Sequence, residues 1–514
     1  MNTRMRILTA AAAVVLGLAP APRTAGATTE TAVVVSADGA ANDDFGWSVA
    51  IEGPTLAVGA PLADIGGVQG QGAVYVFELV AGAWTQVQKL TATDGAEFDQ
   101  FGFSVAISGD RMVIGAEEAD INGNAAQGAA YIFERVGGTW TEVHKLFENT
   151  LGSFDEYGHD VDIEGDRIVI GASKGGSPAH GRTFIYERDQ GGPGTWGQVQ
   201  ELEDDIFDSN AGFGESVDLE GDLLVVGALL LDRVPGTYNN EGGAYVFRRD
   251  PGSNTWSQVA KLFRDGALGN ERCGISVALS GSTVVMGGYS VNGAGYGRGA
   301  AYVFENPGQV VDGWSQVAAL QASDPQDFAY FGTSTAMFGR SVYVGAQGQD
   351  TSAGKAYRFD EDQGGVGVWG EADTYLSSVR ASNDLFGYSL AVDADHLAVG
   401  AFVMGGDGAV LVFPGPGGAA SPVGDLPAAP AGVAAFPNPF NPTTNLSFTI
   451  DHRGEVEVLI HDLRGALVSR LFRGELDAGR HDLTWRADGM PSGVYLATVR
   501  AGHTLRSTAV TLVK

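Results

Sequence analysis

The sequence predicts an all-β protein: a seven-bladed β-propeller followed by a small immunoglobulin-like β-sandwich. Three observations carry this. A segment of the form aromatic-Gly-x-Ser-Val-Ala recurs seven times at a period of 55 to 60 residues, and self-similarity of that length marks a repeat architecture. A second glycine follows each copy at a fixed offset of 13 residues, as Gly59, Gly115, Gly171, Gly227, Gly287, Gly345 and Gly400. Each unit has room for four short strands, the content of a propeller blade.

At the N-terminus, Arg4 and Arg6 precede the apolar run Ile7–Ala19 and the small residues Ala25-Gly26-Ala27. This reads as a secretory signal over residues 1–27, cleaved after Ala27; 13 apolar residues are too few to span a bilayer. No other stretch approaches membrane length, so no integral span is expected.

The repeat occupies residues 28–413. Strand one of each unit starts at Phe45-Gly46, Phe101-Gly102, Tyr157-Gly158, Phe213-Gly214, Cys273-Gly274, Phe331-Gly332 or Phe386-Gly387. A glycine-containing turn leads to an apolar second strand ending in Gly-Ala. Strand three is Ala73–Phe77 and its counterparts. Strand four starts at Trp84, Trp140, Trp196, Trp256, Trp314 or Trp369, with the tryptophans expected to pack between blades. The seventh unit lacks a tryptophan strand, while Val33-Val34-Val35 precedes the first unit with nothing to pair to. The N-terminal segment is therefore expected to supply the last blade's outer strand, beside Ala409–Phe413, and close the ring. Cys273, the only cysteine, excludes an intramolecular disulfide and reads as a small buried hydrophobe.

These units resemble the FG-GAP repeat of the integrin α-subunit propeller, and more closely its bacterial branch with Ser-Val-Ala and Gly-Ala-x-Tyr-Val-Phe signatures. The Asp-rich calcium loop often found between the two glycine motifs of integrin-type repeats has no room here, because two strands and a tight turn fill the offset.

Residues 414–432 are rich in Pro, Gly and Ala and read as a linker. Six alternating strands follow in residues 433–514: Leu446–Ile450, Glu455–His461, Leu467–Phe472, His481–Trp485, Val494–Arg500 and Ser507–Val513. With Pro-Asn-Pro-Phe-Asn-Pro-Thr-Thr at 437–444, Asp462-Leu463-Arg464-Gly465, Ser492-Gly493-Val494-Tyr495 and Lys514, this segment resembles the type A sorting domain of the type IX secretion system. That resemblance implies export to the cell surface or beyond, with the type IX machinery as a partner.

No catalytic constellation stands out. The Gly-x-Ser segments lack the strand–turn–helix setting of a nucleophile elbow and recur in most units, so their serines read as structural. Among the eight histidines no His-Glu-x-x-His spacing occurs, and no phosphate-binding glycine motif precedes a helix. His144, His159, His180 and His396 have no counterparts in other units and read as scattered packing or surface residues.

The chain carries −31; with +3 in the leader and +1 from Val433 onward, residues 28–432 hold −35. Nucleic acid and anionic membranes are disfavoured as partners. Eighteen acids fall in the loops that precede the aromatic-Gly motifs. Asp38, Asp43, Asp94, Asp99 and Asp155 are the first candidates to bind a ligand or cation there. No cofactor is expected, although hard carboxylate ligands would suit calcium. The expected role is a non-enzymatic, surface or secreted binding or adhesion protein, with an extracellular protein or glycan as ligand. An extracellular polysaccharide hydrolase or lyase of propeller fold is the alternative, and it would need a singular carboxylate pair beside a deep pocket.

Overall fold

The computed structural model describes residues 26–28, 30–175, 180–205, 211–234, 239–266, 269–290, 296–308, 313–363, 365, 367–379, 381–417, 434–436, 443–450, 454–462, 467–476, 479–487, 490–491, 493–501 and 504–512. The leader up to residue 25, most of the linker and the 437–442 motif lie outside them. The chain divides into two compact units, residues 1–420 and 421–514. Among the described residues, no helix is long and apolar enough to cross a membrane.

The first unit is all-β and propeller-like. Among the described residues its strands form seven sheets, six of four strands and one of five. The first sheet is a meander of Val49–Glu52, Thr55–Ala60, Ala73–Val80 and Ala83–Leu90. The second strand is buried along its whole length, which explains its continuous apolar run, whereas the outer strand alternates exposed with half-buried positions and buries only Leu90.

The two glycine positions of the repeat have separate physical causes. The glycine after the aromatic residue takes a left-handed conformation, φ +97° at Gly46 and +96° at Gly102, which L side chains rarely adopt. The glycine 13 residues later is required by close approach. A Cβ on Gly115 would lie 2.0 Å from the carbonyl oxygen of Gly158 in the next repeat, and Gly59, Gly171, Gly227, Gly287, Gly345 and Gly400 meet the same obstacle.

The recurrent serines join the repeats to one another. Ser48 Oγ donates to Gly102 O, Ser104 to Gly158 O, Ser216 to Gly274 O, Ser276 to Gly332 O and Ser334 to Gly387 O. Ser389, in the last repeat, donates to Gly46 O in the first at 2.8 Å. The circuit is interrupted only at Asp160, where the third repeat has no serine; its carboxylate accepts from Val217 N at 2.7 Å instead. These hydroxyls are structural, as the sequence suggested.

The N-terminal segment pairs as expected. Ala32–Val34 runs antiparallel to Ala409–Pro414, with Val33 opposite Leu411. A strand not foreseen, Gly26–Thr28, adds in parallel to Gly370–Tyr375. Trp140, Trp196, Trp256 and Trp369 are buried, and Trp140 packs with Val74, Val76 and Leu90 of the preceding repeat. Cys273 is buried among apolar neighbours including Val246 and Tyr302, and burial pushes its thiol up to about 12, so it is an inert core residue.

The second unit holds a three-stranded sheet, Ala434–Phe436, Thr443–Ile450 and Gly479–Arg486, and a four-stranded one, Leu467–Leu476, Gly454–Asp462, Gly493–Ala501 and Thr504–Leu512. All six expected strands are present, and Ala434–Phe436 is a seventh. Leu446, Phe448 and Trp485 from one sheet share a core with Val458, Ile460, Tyr495 and Val510 from the other.

Candidate functional site

The five aspartates singled out by the sequence do not come together. Asp43, Asp99 and Asp155 are buried, and each folds back on its own turn: their Oδ2 atoms accept from Ala40 N at 2.9 Å, Ala96 N at 2.7 Å and Gly152 N at 2.6 Å. Such side-chain-to-backbone bonds define the loop. Burial raises the pKa of Asp43 and Asp99.

Asp38 and Asp94 pair with lysines of the adjoining repeat, Lys89 at 3.0 Å and Lys145 at 2.7 Å, and Asp94 also accepts from Tyr131 Oη. Burial works against the Asp94 charge, but Lys145 and Tyr131 outweigh it and hold its pKa below the usual range. The same pairing recurs at Lys261–Asp205. The acidic face is therefore partly internal scaffolding. Its counter-ions were visible in the sequence as a lysine before the final leucine of strand four, in Lys89-Leu90, Lys145-Leu146 and Lys261-Leu262.

The site that the fold builds lies instead where the inner strands converge, around a cavity of about 240 Å³. It is lined by the residue that follows the first glycine of each repeat: Trp47, Phe103, His159, Glu215, Ile275, Thr333 and Tyr388. Identical backbone geometry brings these seven positions to one mouth, and their side chains all differ.

One side is aromatic. Trp47 contacts Tyr388 (ring centroids 4.7 Å), Phe402 (5.1 Å) and Phe103 (5.4 Å), and Phe103 continues to His159 at 5.3 Å. All are half-buried, so each keeps an accessible surface.

The next sector is charged. His159 Nδ1 lies 2.6 Å from Glu117 Oε2, and Nε2 lies 3.6 Å from Glu215 Oε1. Burial opposes protonation of this imidazole, yet Glu215 and Glu117 outweigh it and hold its pKa well above the usual value. Glu156, which pairs with Lys174, completes with Glu117 and His159 a group whose ligand atoms lie within 4.8 Å of one another. Among the described residues this is the one such group of three His, Cys, Asp or Glu, and none of the five expected aspartates belongs to it. Deeper in the channel, Asp162 and Asp218 line a second cavity among Val49, Ile107, Met337 and Val392.

The residue before each aromatic-Gly pair is left-handed throughout, as in Asp44 (φ +59°), Gln100 (+58°), Glu156 (+57°), Arg272 (+54°), Tyr330 (+54°) and Leu385 (+56°). Only the fourth repeat uses glycine there, at Gly212. Two positions earlier, Phe98, Phe154 and Phe328 are also left-handed and stand 48, 63 and 57 % exposed, where other repeats carry Asn42, Asn270 and Asn383. The N–H groups of the three phenylalanines donate to Gln69 O, Ala125 O and Tyr296 O, and Phe328 stacks on Tyr296; exposed phenylalanine in a left-handed conformation is an outlier of the kind that points toward function. Sequence reasoning missed these residues because they vary from repeat to repeat.

Residues 28–77, 84–133, 140–186, 196–247, 256–304 and 314–359 match the FG-GAP repeat, and residues 434–514 match the secretion system C-terminal sorting domain. No curated protein matches the chain. Among solved structures it is similar to Sqt1 of Saccharomyces cerevisiae, at 11 % identity, 76 % of this chain, 100 % of that chain and a TM-score of 0.43. It is also similar to PorZ, a bacterial surface component of the type IX secretion system of Porphyromonas gingivalis, at 17 % identity, 90 % of this chain, 64 % of that chain and a TM-score of 0.36. A third is the β-propeller domain of the Trilobed protease from Pyrococcus furiosus, at 9 % identity, 71 % of this chain, 91 % of that chain and a TM-score of 0.40.

Proposed function

The chain belongs to the FG-GAP repeat family and ends in a secretion system C-terminal sorting domain, and from that premise we propose a seven-bladed, non-enzymatic propeller that binds an extracellular glycan at its channel mouth. The sorting domain makes it a type IX cargo, secreted or attached to the cell surface. In this reading residues 28–413 form the ring, 414–432 the linker and 433–514 an immunoglobulin-like sandwich.

The observation that carries the reading is where the repeats differ. Phe-Gly, Ser and Gly-Ala hold the scaffold, while the position after the first glycine has a different side chain in every repeat. A rigid frame with varied side chains converging on one cavity is how binding sites are built. The arc of Tyr388, Phe402, Trp47 and Phe103 offers flat apolar surface for the C–H face of a sugar ring. Glu117, Glu215 and Asp44 offer acceptors for its hydroxyls, and Phe98, Phe154 and Phe328 offer further exposed aromatic surface for a polymer.

The test is a glycan array with the mature protein, followed by titration of the bound glycan into wild type and Trp47→Ala. Removing the central ring is expected to weaken binding about tenfold or more, while Val87→Ala on an outer strand leaves it unchanged. An empty array, or undiminished binding by Trp47→Ala, would reject the reading. New reducing or unsaturated ends released from a bound polysaccharide would identify a hydrolase or lyase instead.

A further inference from the structure

Beside the uncharged sector of the mouth, at Ile275 and Thr333, stands a run of four aromatic rings. Tyr289 follows Gly287-Gly288 as Phe402 of the mouth arc follows Gly400-Ala401. Its ring lies 6.1 Å from Tyr330, Tyr330 lies 6.5 Å from Phe328, and Phe328 lies 6.5 Å from Tyr296 with the two planes 11° apart. The inner pair, Tyr289 and Tyr330, is half-buried, and Thr333 donates its hydroxyl to Tyr330 O at 2.7 Å. The outer pair, Phe328 and Tyr296, is 57 and 73 % exposed. Phe98 and Phe154 are also exposed, but touch no other ring among the described residues.

The backbone fixes the run in place. Phe328 N donates to Tyr296 O at 2.7 Å and Tyr330 N to Gly297 O at 3.0 Å, so two loops are bonded into one support. Tyr330 lies against glycine twice: a Cβ on Gly297 would be 3.2 Å from its Cε1, and one on Gly348 2.9 Å from its Cδ2. Folding does not call for rings here. Both Phe328 and Tyr330 are left-handed, and other repeats fill these positions with Asn42, Asn270 and Asn383 or with Gly212. Arg272 stands at the inner end, exposed, over the Tyr289 ring at 5.6 Å and donating to its hydroxyl. Its neighbours Arg264 and Arg298 are taken by Glu271 and Asp327. Arg272 pairs with no carboxylate among the described residues, although the chain has 62 acids to 31 Lys and Arg; most of its N–H donors are left to offer.

Aromatic rings set in a row on a rigid support suit a chain of rings with apolar faces, and a donor fork without a carboxylate suits oxygen acceptors. A polyanion is disfavoured, because one guanidinium does not reverse the field of residues 28–432, which hold −35. We propose that the glycan bound at the mouth is a neutral, linear polysaccharide that continues outward over the fifth and sixth repeats. Its sugar rings lie along Tyr289, Tyr330, Phe328 and Tyr296, and Arg272 donates to its hydroxyls. This rests on the glycan reading above and deepens it: the ligand is a long chain, and a short sugar that fills the mouth alone binds more weakly.

The experiment is native-gel retardation of the full mature chain. Gels are cast with each neutral polysaccharide of the array, mixed-linkage β-glucan, xylan and glucomannan among them, and with alginate as the polyanion. At least one neutral polymer is expected to retard the wild type, and alginate is not. Phe328→Asn combined with Tyr296→Ala should weaken that binding about tenfold; asparagine already serves at the equivalent left-handed position in three repeats, so the fold tolerates it. Phe154→Asn, the same change away from the run, should cost far less. A trisaccharide of the same polymer, added as competitor, should bind the wild type more weakly than the polymer does, and the double variant should lose most of that difference. Equal retardation of wild type and double variant, an equal loss in Phe154→Asn, or stronger retardation by alginate would overturn the inference while leaving the glycan reading intact. If no polysaccharide retards the chain, a short oligosaccharide hit on the array overturns the inference alone, and an empty array overturns both.

Discussion

Gly115→Ala is expected to destabilise the repeat unit by about 3 kcal/mol or more, since overpacking against backbone cannot be relieved by a rotamer change. The new methyl would sit 2.0 Å from Gly158 O and 2.3 Å from Ser104 Oγ. The serine can rotate away, but only by giving up its bond to that same carbonyl. The carbonyl belongs to the next repeat's inner strand, so the two repeats must separate. Gly109→Ala is the matched control. It lies in the turn of the same sheet at φ +60° with nothing within 4 Å of a new Cβ, so it bears only left-handed strain, about 1 kcal/mol. Urea unfolding of both variants separates the two causes. Equal losses would mean that close approach between repeats is not what requires the second glycine.

Stability is expected to fall as pH rises from 5 to 8, the reverse of the dependence that salt-bridged carboxylates impose. Burial raises Asp160 to about 7 and Asp162 to about 6. Both accept backbone N–H groups of the next repeat, from Val217 and Leu219, which offsets the burial only in part. The unfolded chain releases these protons near pH 4. Between that value and pH 6 to 7 the folded state therefore holds more protons, and its stability declines with pH. The two groups together account for a loss on the order of 5 kcal/mol.

His159 acts in the same sense, because its raised pKa contributes stability that is lost as pH climbs through the folded value. Below pH 4 the sign reverses, as Asp94 and Asp324, held low against burial by Lys145 and Lys355, become protonated. An optimum near pH 4 follows. Denaturation midpoints at pH 5 and 8 check it, and Asp162→Ala, which restores the residue found at Ala106 and Ala278, should flatten the slope. A midpoint that rises with pH would contradict the assignment of these half-buried carboxyls as protonated.

The scaffold was legible because its constraints repeat. A glycine forced by a neighbouring carbonyl, a serine that bonds that carbonyl and a buried aromatic residue must reappear in every unit, so seven copies expose them. The closing strand was legible because Val33–Val35 had apolar residues and no partner in its own unit. The roles of the aspartates were not. Whether Asp94 is a ligand or one half of an ion pair depends on Lys145, 51 residues away in sequence. Whether Asp99 faces solvent or Ala96 N depends on a turn that composition does not specify.

The mouth was hidden for the opposite reason to the scaffold. Its chemistry lies in the positions that the repeat leaves free. His159 has no counterpart in the other repeats, and the lack of one at the position after Tyr157-Gly158 is itself the signal. Glu117 follows Gly115-Ala116 as Phe402 follows Gly400-Ala401, so the second variable position was legible by the same rule.

The central claim is that the varied positions at the channel mouth, rather than the outer strands, hold the ligand. Hydrogen–deuterium exchange on the mature protein with and without its bound glycan tests this most directly. The account predicts added protection at residues 44–47, 100–103, 156–159 and 385–388, with outer strands such as Ala83–Leu90 unchanged. Protection confined to outer strands or to residues 434–512, with the mouth segments exchanging as before, would contradict it.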